Sequence, residues 1–256
     1  MPLVPTRRPL GTGLAALAVL PLAACGADAG TAGDGSARTL TVLAAASLTG
    51  TFTELAERFE AEHEGVRVDL VLDSSGTLAD QAAQGAPGDV LATADTASME
   101  RAGDARADDP VVFATNELVL VTPAGNAAGV EGLASLDDDD VTYVVCVETA
   151  PCGALAEQAL TDAGVTREPA SLERDVKATL ARVSEDEADA GLVYRTDALA
   201  AGADVATLDL PTSLVTDYPV TTLAQGAEPG LAAEFVDLLL SEAGADVLAA
   251  AGFGTP

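Results

Sequence analysis

Four short stretches of this chain share one chemical pattern: a strand-like run ends, a small or hydroxyl-bearing residue follows, and a helical pattern begins. They are Ala45-Ala46-Ser47-Leu48, Ser74-Ser75-Gly76-Thr77-Leu78, Ala150-Pro151-Cys152-Gly153 and Arg174-Asp175-Val176-Lys177. The first backbone N–H groups of a helix have no partner within it and carry partial positive charge, so they favour an anion. Serine hydroxyls add further donors. A serine ahead of a helix is most often only a cap, so no single turn carries the argument; four in one α/β chain do, because such turns gather at the carboxyl edge of the sheet, where ligands bind. Nucleophilic catalysis fits these residues poorly. Neither Ser47 nor Ser75 sits in Gly-x-Ser-x-Gly, and the sole histidine, His63, lies in a charged helical stretch away from all three cysteines. The same lack of histidine argues against a protein-ligated metal, and the acidic run Asp137–Asp140 lacks the spaced oxygen ligands of a calcium loop.

The elements that must position these turns follow from periodicity. Leu40–Ala44 is a short apolar run, and Leu48–His63 places Leu48, Phe52, Leu55, Ala56 and Phe59 at helical spacing. Val66–Leu72 alternates as a strand, Thr77–Gln84 reads as a helix, Asp89–Thr93 as a strand and Thr96–Ala102 as a helix. Strands are expected at Glu117–Thr122, Val141–Val147, Gly191–Tyr194 and Val220–Leu223. Helices are expected at Gly153–Ala163, Val176–Val183, Leu231–Leu240 and Ala243–Ala250. The alternation predicts a mostly parallel sheet covered on both faces. The 256 residues suit one compact domain or two small lobes, with a core of Ala, Val and Leu, since only 3% are aromatic and none is Trp.

The N-terminus reads as an address. Arg7 and Arg8 precede the apolar stretch Leu10–Leu22, which is short of the ~20 residues that span a bilayer. Leu22-Ala23-Ala24-Cys25-Gly26 resembles the lipobox of bacterial lipoproteins. This implies a signal peptide over 1–24, lipid on Cys25 and a Gly/Ala/Ser/Asp-rich tether over 25–38. Export permits a disulfide between Cys146 and Cys152, and one is expected, although spacing alone does not fix its geometry. The formal charge is −29; without residues 1–24 the count is 12 − 2 = 10 basic against 41 acidic, or −31. That balance excludes nucleic acid as a partner.

A longer series of motifs resembles the periplasmic molybdate-binding proteins of ABC importers. Val42-Leu43-Ala44-Ala45-Ala46-Ser47-Leu48 is similar to their opening strand and turn. Ser74-Ser75-Gly76-Thr77-Leu78, Gly85-Ala86-Pro87-Gly88-Asp89-Val90, Ala94-Asp95, Asn116–Val121, Pro151-Cys152-Gly153, Asp175-Val176-Lys177, Gly191-Leu192-Val193-Tyr194, Tyr218-Pro219-Val220 and Gly252-Phe253 follow in order. The resemblance runs from about Thr39 to the C-terminus. It implies a two-lobed periplasmic-binding-protein fold of type II, with 39–115 and 217–256 in one lobe and 116–216 in the other. It also implies that Ser47 and Ser75 give hydroxyl and N–H, that Cys152 and Val176 give backbone N–H, and that Tyr194 gives its phenol to the anion. The expected function is capture of molybdate or tungstate, without cofactor, by a monomeric lipoprotein that delivers to a permease. Sulfate receptors and a plain interaction lipoprotein remain the alternatives. Two departures stand out: Gly76, where many members carry another Ser, and Cys152, where Ala is common. The donor set suits the ligand, because a tetrahedral dianion without protons offers only acceptors.

Overall fold

The computed structural model describes residues 38–211 and 213–256. The leader, Cys25 and the tether up to residue 37 lie outside the described residues.

The described residues open with alternating strands and helices. β1 (Arg38–Ala45) leads through a 3-10 turn at Ala46–Leu48 into α1 (Thr49–Glu62), followed by β2 (Val66–Asp73), α2 (Ser75–Ala83), β3 (Val90–Ala92) and α3 (Thr96–Arg101). A long strand, β4 (Val111–Pro123), comes next. It is followed by β5 (Tyr143–Cys146), α4 (Pro151–Ala163), β6 (Ser171–Glu173), α5 (Val176–Ser184), β7 (Ala190–Tyr194), α6 (Arg195–Ala201) and β8 (Val205–Leu208). β9 (Val215–Thr222), α7 (Pro229–Leu240) and α8 (Glu242–Ala250) complete it. None of the described helices is long and apolar enough to cross a membrane.

The strands hydrogen-bond in the order β2-β1-β3-β9-β4-β7-β5-β6, with β8 also on β4. β4 joins the two halves of this two-lobed α/β fold. Its first part, Val111–Glu117, pairs with β9, while Leu118–Val121 pairs with β7 and Leu120–Pro123 with β8. The expectation of a mostly parallel sheet needs correction. β1 is parallel to β2 and β3, and β5 to β6 and β7, but every pairing of β4 and β9 is antiparallel. β4 carries the chain out of the first half and β9 brings it back, so the two run side by side in opposite directions.

Burial follows the predicted periodicities. α1 turns Phe52, Leu55, Ala56 and Phe59 into the core. Phe52 meets Phe113 of β4 at 6.1 Å and Phe235 of α7 at 6.0 Å between ring centroids, and Phe59 meets Phe235 at 5.5 Å. Each such fully buried ring contributes ~1.5–3 kcal/mol of transfer free energy. His63 closes α1: its ring stacks on Phe59 at 3.9 Å, Nδ1 lies 2.7 Å from the Phe59 carbonyl, and Nε2 lies 2.8 Å from Glu234. The chain's sole histidine is thereby committed to structure.

Candidate functional site

β1 ends at Ala45, and the buried 3-10 turn behind it carries Ser47. β2 ends at Asp73, whose carboxylate accepts the Ser74 N–H at 2.7 Å, and α2 starts at Ser75. On the other side, β5 ends at Cys146. α4 then opens with Pro151 at its first turn, where a missing N–H costs nothing, so Cys152 becomes the next donor. Gly153 makes that tight entry possible, since a Cβ there would stand 1.9 Å from the Val147 carbonyl oxygen. β6 leads to α5, capped by Asp175, whose side chain accepts the Ala178 N–H at 2.8 Å. β7 ends at Tyr194 itself.

These ends face a single cavity. Ala45, Ala46, Ser47, Ser74, Ser75 and Ala94 line it from one half, and Ala150, Pro151, Cys152, Asp175, Val176 and Tyr194 from the other. All five residues expected to hold the anion, Ser47, Ser75, Cys152, Val176 and Tyr194, are therefore brought together. The open space between these walls is about 10 Å³, far below the roughly 300–1,000 Å³ of pockets for drug-sized ligands; it suits a ligand of a few atoms.

The polar groups are set up as donors. Ser75 Oγ accepts the Ala94 N–H at 2.9 Å, which leaves its single proton to give. Tyr194 Oη is fully buried and has no hydrogen-bond partner among the described residues. Burial first, then neighbouring Tyr218, Asp95 and Asp197, pushes its phenol well above the usual value, so it stays a protonated donor. A buried unpaired O–H costs about 1–3 kcal/mol, a cost that an accepting ligand removes.

Two residues without an assigned role support Ser47. Tyr218 Oη lies 2.9 Å from Ser47 Oγ, and Asn116 Nδ2 donates to Tyr218 Oη at 3.3 Å and to Thr196 Oγ1 at 2.8 Å. Asn116 can only donate through Nδ2, so the chain runs from Asn116 to Tyr218 to Ser47, and the Ser47 proton points onward to the cavity. Tyr218 and Asn116 lie on β9 and β4, about 100 residues apart in sequence from each other. Nothing in the local pattern around them signals this contact.

Among the described residues no cation lines the cavity. Arg174 reaches Asp175 at 3.1 Å, Lys177 reaches Asp197 at 2.7 Å, and Arg195 bridges Glu117 and Asp209, each at 2.8 Å. Asp175 is the one carboxylate in the wall, and its oxygens are taken up by the Ala178 N–H and Arg174. Asp197 is fully buried, and neither oxygen makes a well-directed hydrogen bond, so the Lys177 contact is charge attraction. Burial raises its carboxyl to about 6 despite that cation.

Cys146 and Cys152 are joined by a disulfide with Cα atoms 5.8 Å apart. The bridge ties the end of β5 to the first turn of α4, directly behind the Cys152 N–H.

A two-lobed α/β protein with a small cleft walled by helix N-termini and hydroxyls is a receptor for a small anionic solute. The chain belongs to the bacterial extracellular solute-binding protein family, whose model matches residues 40–254. It is 37% identical over 256 residues to the molybdate-binding protein ModA of Mycobacterium tuberculosis, covering 96% of this chain and 98% of that protein. It is 33% identical over 228 residues to the molybdate-binding protein ModA of Escherichia coli, covering 84% and 88%. In structure it resembles the periplasmic molybdate-binding protein of Azotobacter vinelandii, with a TM-score of 0.74 at 23% identity over 85% of this chain and 99% of that one; at that identity the likeness bears on the fold.

Proposed function

We propose that this protein captures molybdate, or the near-identical tungstate, outside the cell membrane and delivers it to an ABC importer. The observation that carries this reading is the make-up of the wall: the hydroxyls of Ser47, Ser75 and Tyr194 and the turns at Ser47, Ser75, Cys152 and Val176 line one small cavity, and its carboxylate, Asp175, is already engaged by Ala178 and Arg174. A dianion that carries no proton satisfies every one of these groups, whereas a protonated oxyanion leaves its own proton without an acceptor. The molybdate-binding relatives at 37% and 33% identity support the same ligand.

The lobes of this reading are 39–115 with 217–256, and 116–216. The change of β4's partner from β9, paired through Glu117, to β7, paired from Leu118, lies two residues beyond the 115/116 boundary and supports a division on this strand. The protein acts as a monomer held to the membrane by lipid on Cys25, with the Cys146–Cys152 bridge formed after export; Cys25→Ala is expected to release it into the soluble fraction. Titration calorimetry with molybdate, tungstate, sulfate and phosphate tests the ligand. Tight one-to-one binding of the first two with phosphate silent supports it, and preference for phosphate refutes it.

A further inference from the structure

Gly76 is the second residue of α2, next to the donor Ser75, and it faces the opposite half of the cleft. A Cβ built on it would stand 2.5 Å from the backbone carbonyl oxygen of Thr149 and 2.7 Å from Nη1 of Arg101. Thr149 lies three residues before the donor Cys152, on the far side of the cavity. The two lobes therefore touch here backbone to backbone, beside one donor of each wall. Arg101, held by Asp80, reaches the same carbonyl at 3.5 Å.

We infer that Gly76 is the spacer that sets how closely the two walls of the anion site approach, and that its missing side chain is required for full closure. The inference rests on the solute-binding reading of the cleft. The two obstacles to a Cβ differ in kind. Arg101 is the far end of a flexible side chain, 39% exposed, and can swing away. The Thr149 carbonyl cannot yield in the same way. It sits on a loop pinned at both ends by the Cys146–Cys152 bridge, by the Ala150 N–H bonded to the Val147 carbonyl at 2.9 Å, and by Gly153 packed on that carbonyl. A methyl group at position 76 must therefore push the Ser75 wall and the Cys152 wall apart, and hydrogen bonds to an anion weaken steeply with such a shift.

The test compares wild type, Gly76→Ala, Arg101→Ala and the double variant by molybdate calorimetry, with small-angle scattering of the saturated proteins and thermal unfolding without anion. Alanine is the better helix residue, so Gly76→Ala is expected to unfold no earlier than wild type without anion. Its molybdate Kd is expected to rise at least tenfold and its saturated form to remain more open. Arg101→Ala is expected not to rescue the double variant. Wild-type affinity and full closure in Gly76→Ala, or rescue by Arg101→Ala, would overturn the spacer role alone. A wild type that binds none of molybdate, tungstate or sulfate would overturn the functional reading and the spacer role with it.

Discussion

Ser75 holds two contacts at once, so its removal should be felt in two measurements. Its Oγ accepts the Ala94 N–H inside the protein, and its proton is free for the ligand. Ser75→Ala is expected to weaken molybdate binding by about 1–3 kcal/mol, the range for a hydrogen bond to a charged partner, and to lower the melting temperature slightly by orphaning Ala94. Arg174→Ala, Lys177→Ala and Arg195→Ala should each change affinity by well under ~1 kcal/mol, because their partners are carboxylates and not the cavity. Calorimetry showing the reverse order would move the site. Lys177 has a second consequence through Asp197. The folded protein binds the Asp197 proton more tightly, with a pKa near 6, than an unfolded chain whose Asp titrates near ~4. The stability from this group is thus full below about pH 4 and is lost as pH rises through 6. Asp197→Asn should match wild type near pH 4 and exceed it by on the order of 2 kcal/mol at pH 7; a gap in melting temperature that shrinks with rising pH would contradict this. At this scale Ser47, Ser75, Cys152 and Val176 were legible in local strand–turn–helix patterns, whereas Tyr194 came from the family resemblance alone. Tyr218 and Asn116 were not, since a hydrogen bond across two strands distant in sequence leaves no local pattern.

Elements with an apolar period were readable, and those held mainly by pairing were not. α1 shows Phe52, Leu55, Ala56 and Phe59 on one face, and the sequence places that helix within a few residues of its observed span. β6, by contrast, is three residues with its one large apolar side chain, Leu172, 58% exposed. It exists through its parallel ladder with β5. β8 likewise owes its place to β4. β4 itself starts at Val111, six residues before the strand expected from Glu117, because its first part is a separate stretch that serves the other lobe. α6 follows Tyr194 without a break, so a reading that stops at the strand misses it. The Asp137–Asp140 run, set aside as a calcium loop, has an anchoring member: Asp137 accepts the backbone N–H groups of Arg167 and Thr166, which lowers its carboxyl. The disulfide is the element-scale brace. With a sequence separation of 6 it closes a short loop, worth roughly 2 kcal/mol in the chain-entropy account. Cys146→Ser with Cys152→Ala should lower the melting temperature by roughly 4–8 °C, and in the proposed site the residue at 152 contributes through its backbone N–H, which alanine keeps. Molybdate affinity should stay within about tenfold. Free-thiol labelling of the native protein at full stoichiometry would remove the bridge from this argument.

At the scale of the whole molecule a receptor for a dianion carries an excess of acid, −31 once residues 1–24 are set aside by the count above. The two facts are compatible because they act over different distances. Donors in the cleft act at contact, in a medium of lower dielectric. Surface carboxylates act through water, where the screening length is ~8 Å at about 0.15 M salt but ~30 Å at about 0.01 M. The cations are themselves paired, as in Arg38–Glu228, Arg182–Glu173 and Arg195–Glu117, and are already counted in that excess. The remaining field repels an approaching dianion before it reaches the cleft, and it does so over a longer range in dilute salt. The association rate of molybdate is therefore expected to rise between about 10 mM and 150 mM sodium chloride, while the dissociation rate, set by hydrogen bonds inside the closed cavity, changes by less than about twofold. Stopped-flow fluorescence from the three tyrosines, or competition with a coloured oxyanion, measures both rates. An association rate that fell with added salt would mean that the cations beside the cleft, Arg101, Arg174 and Lys177, outweigh the net charge and steer the anion in.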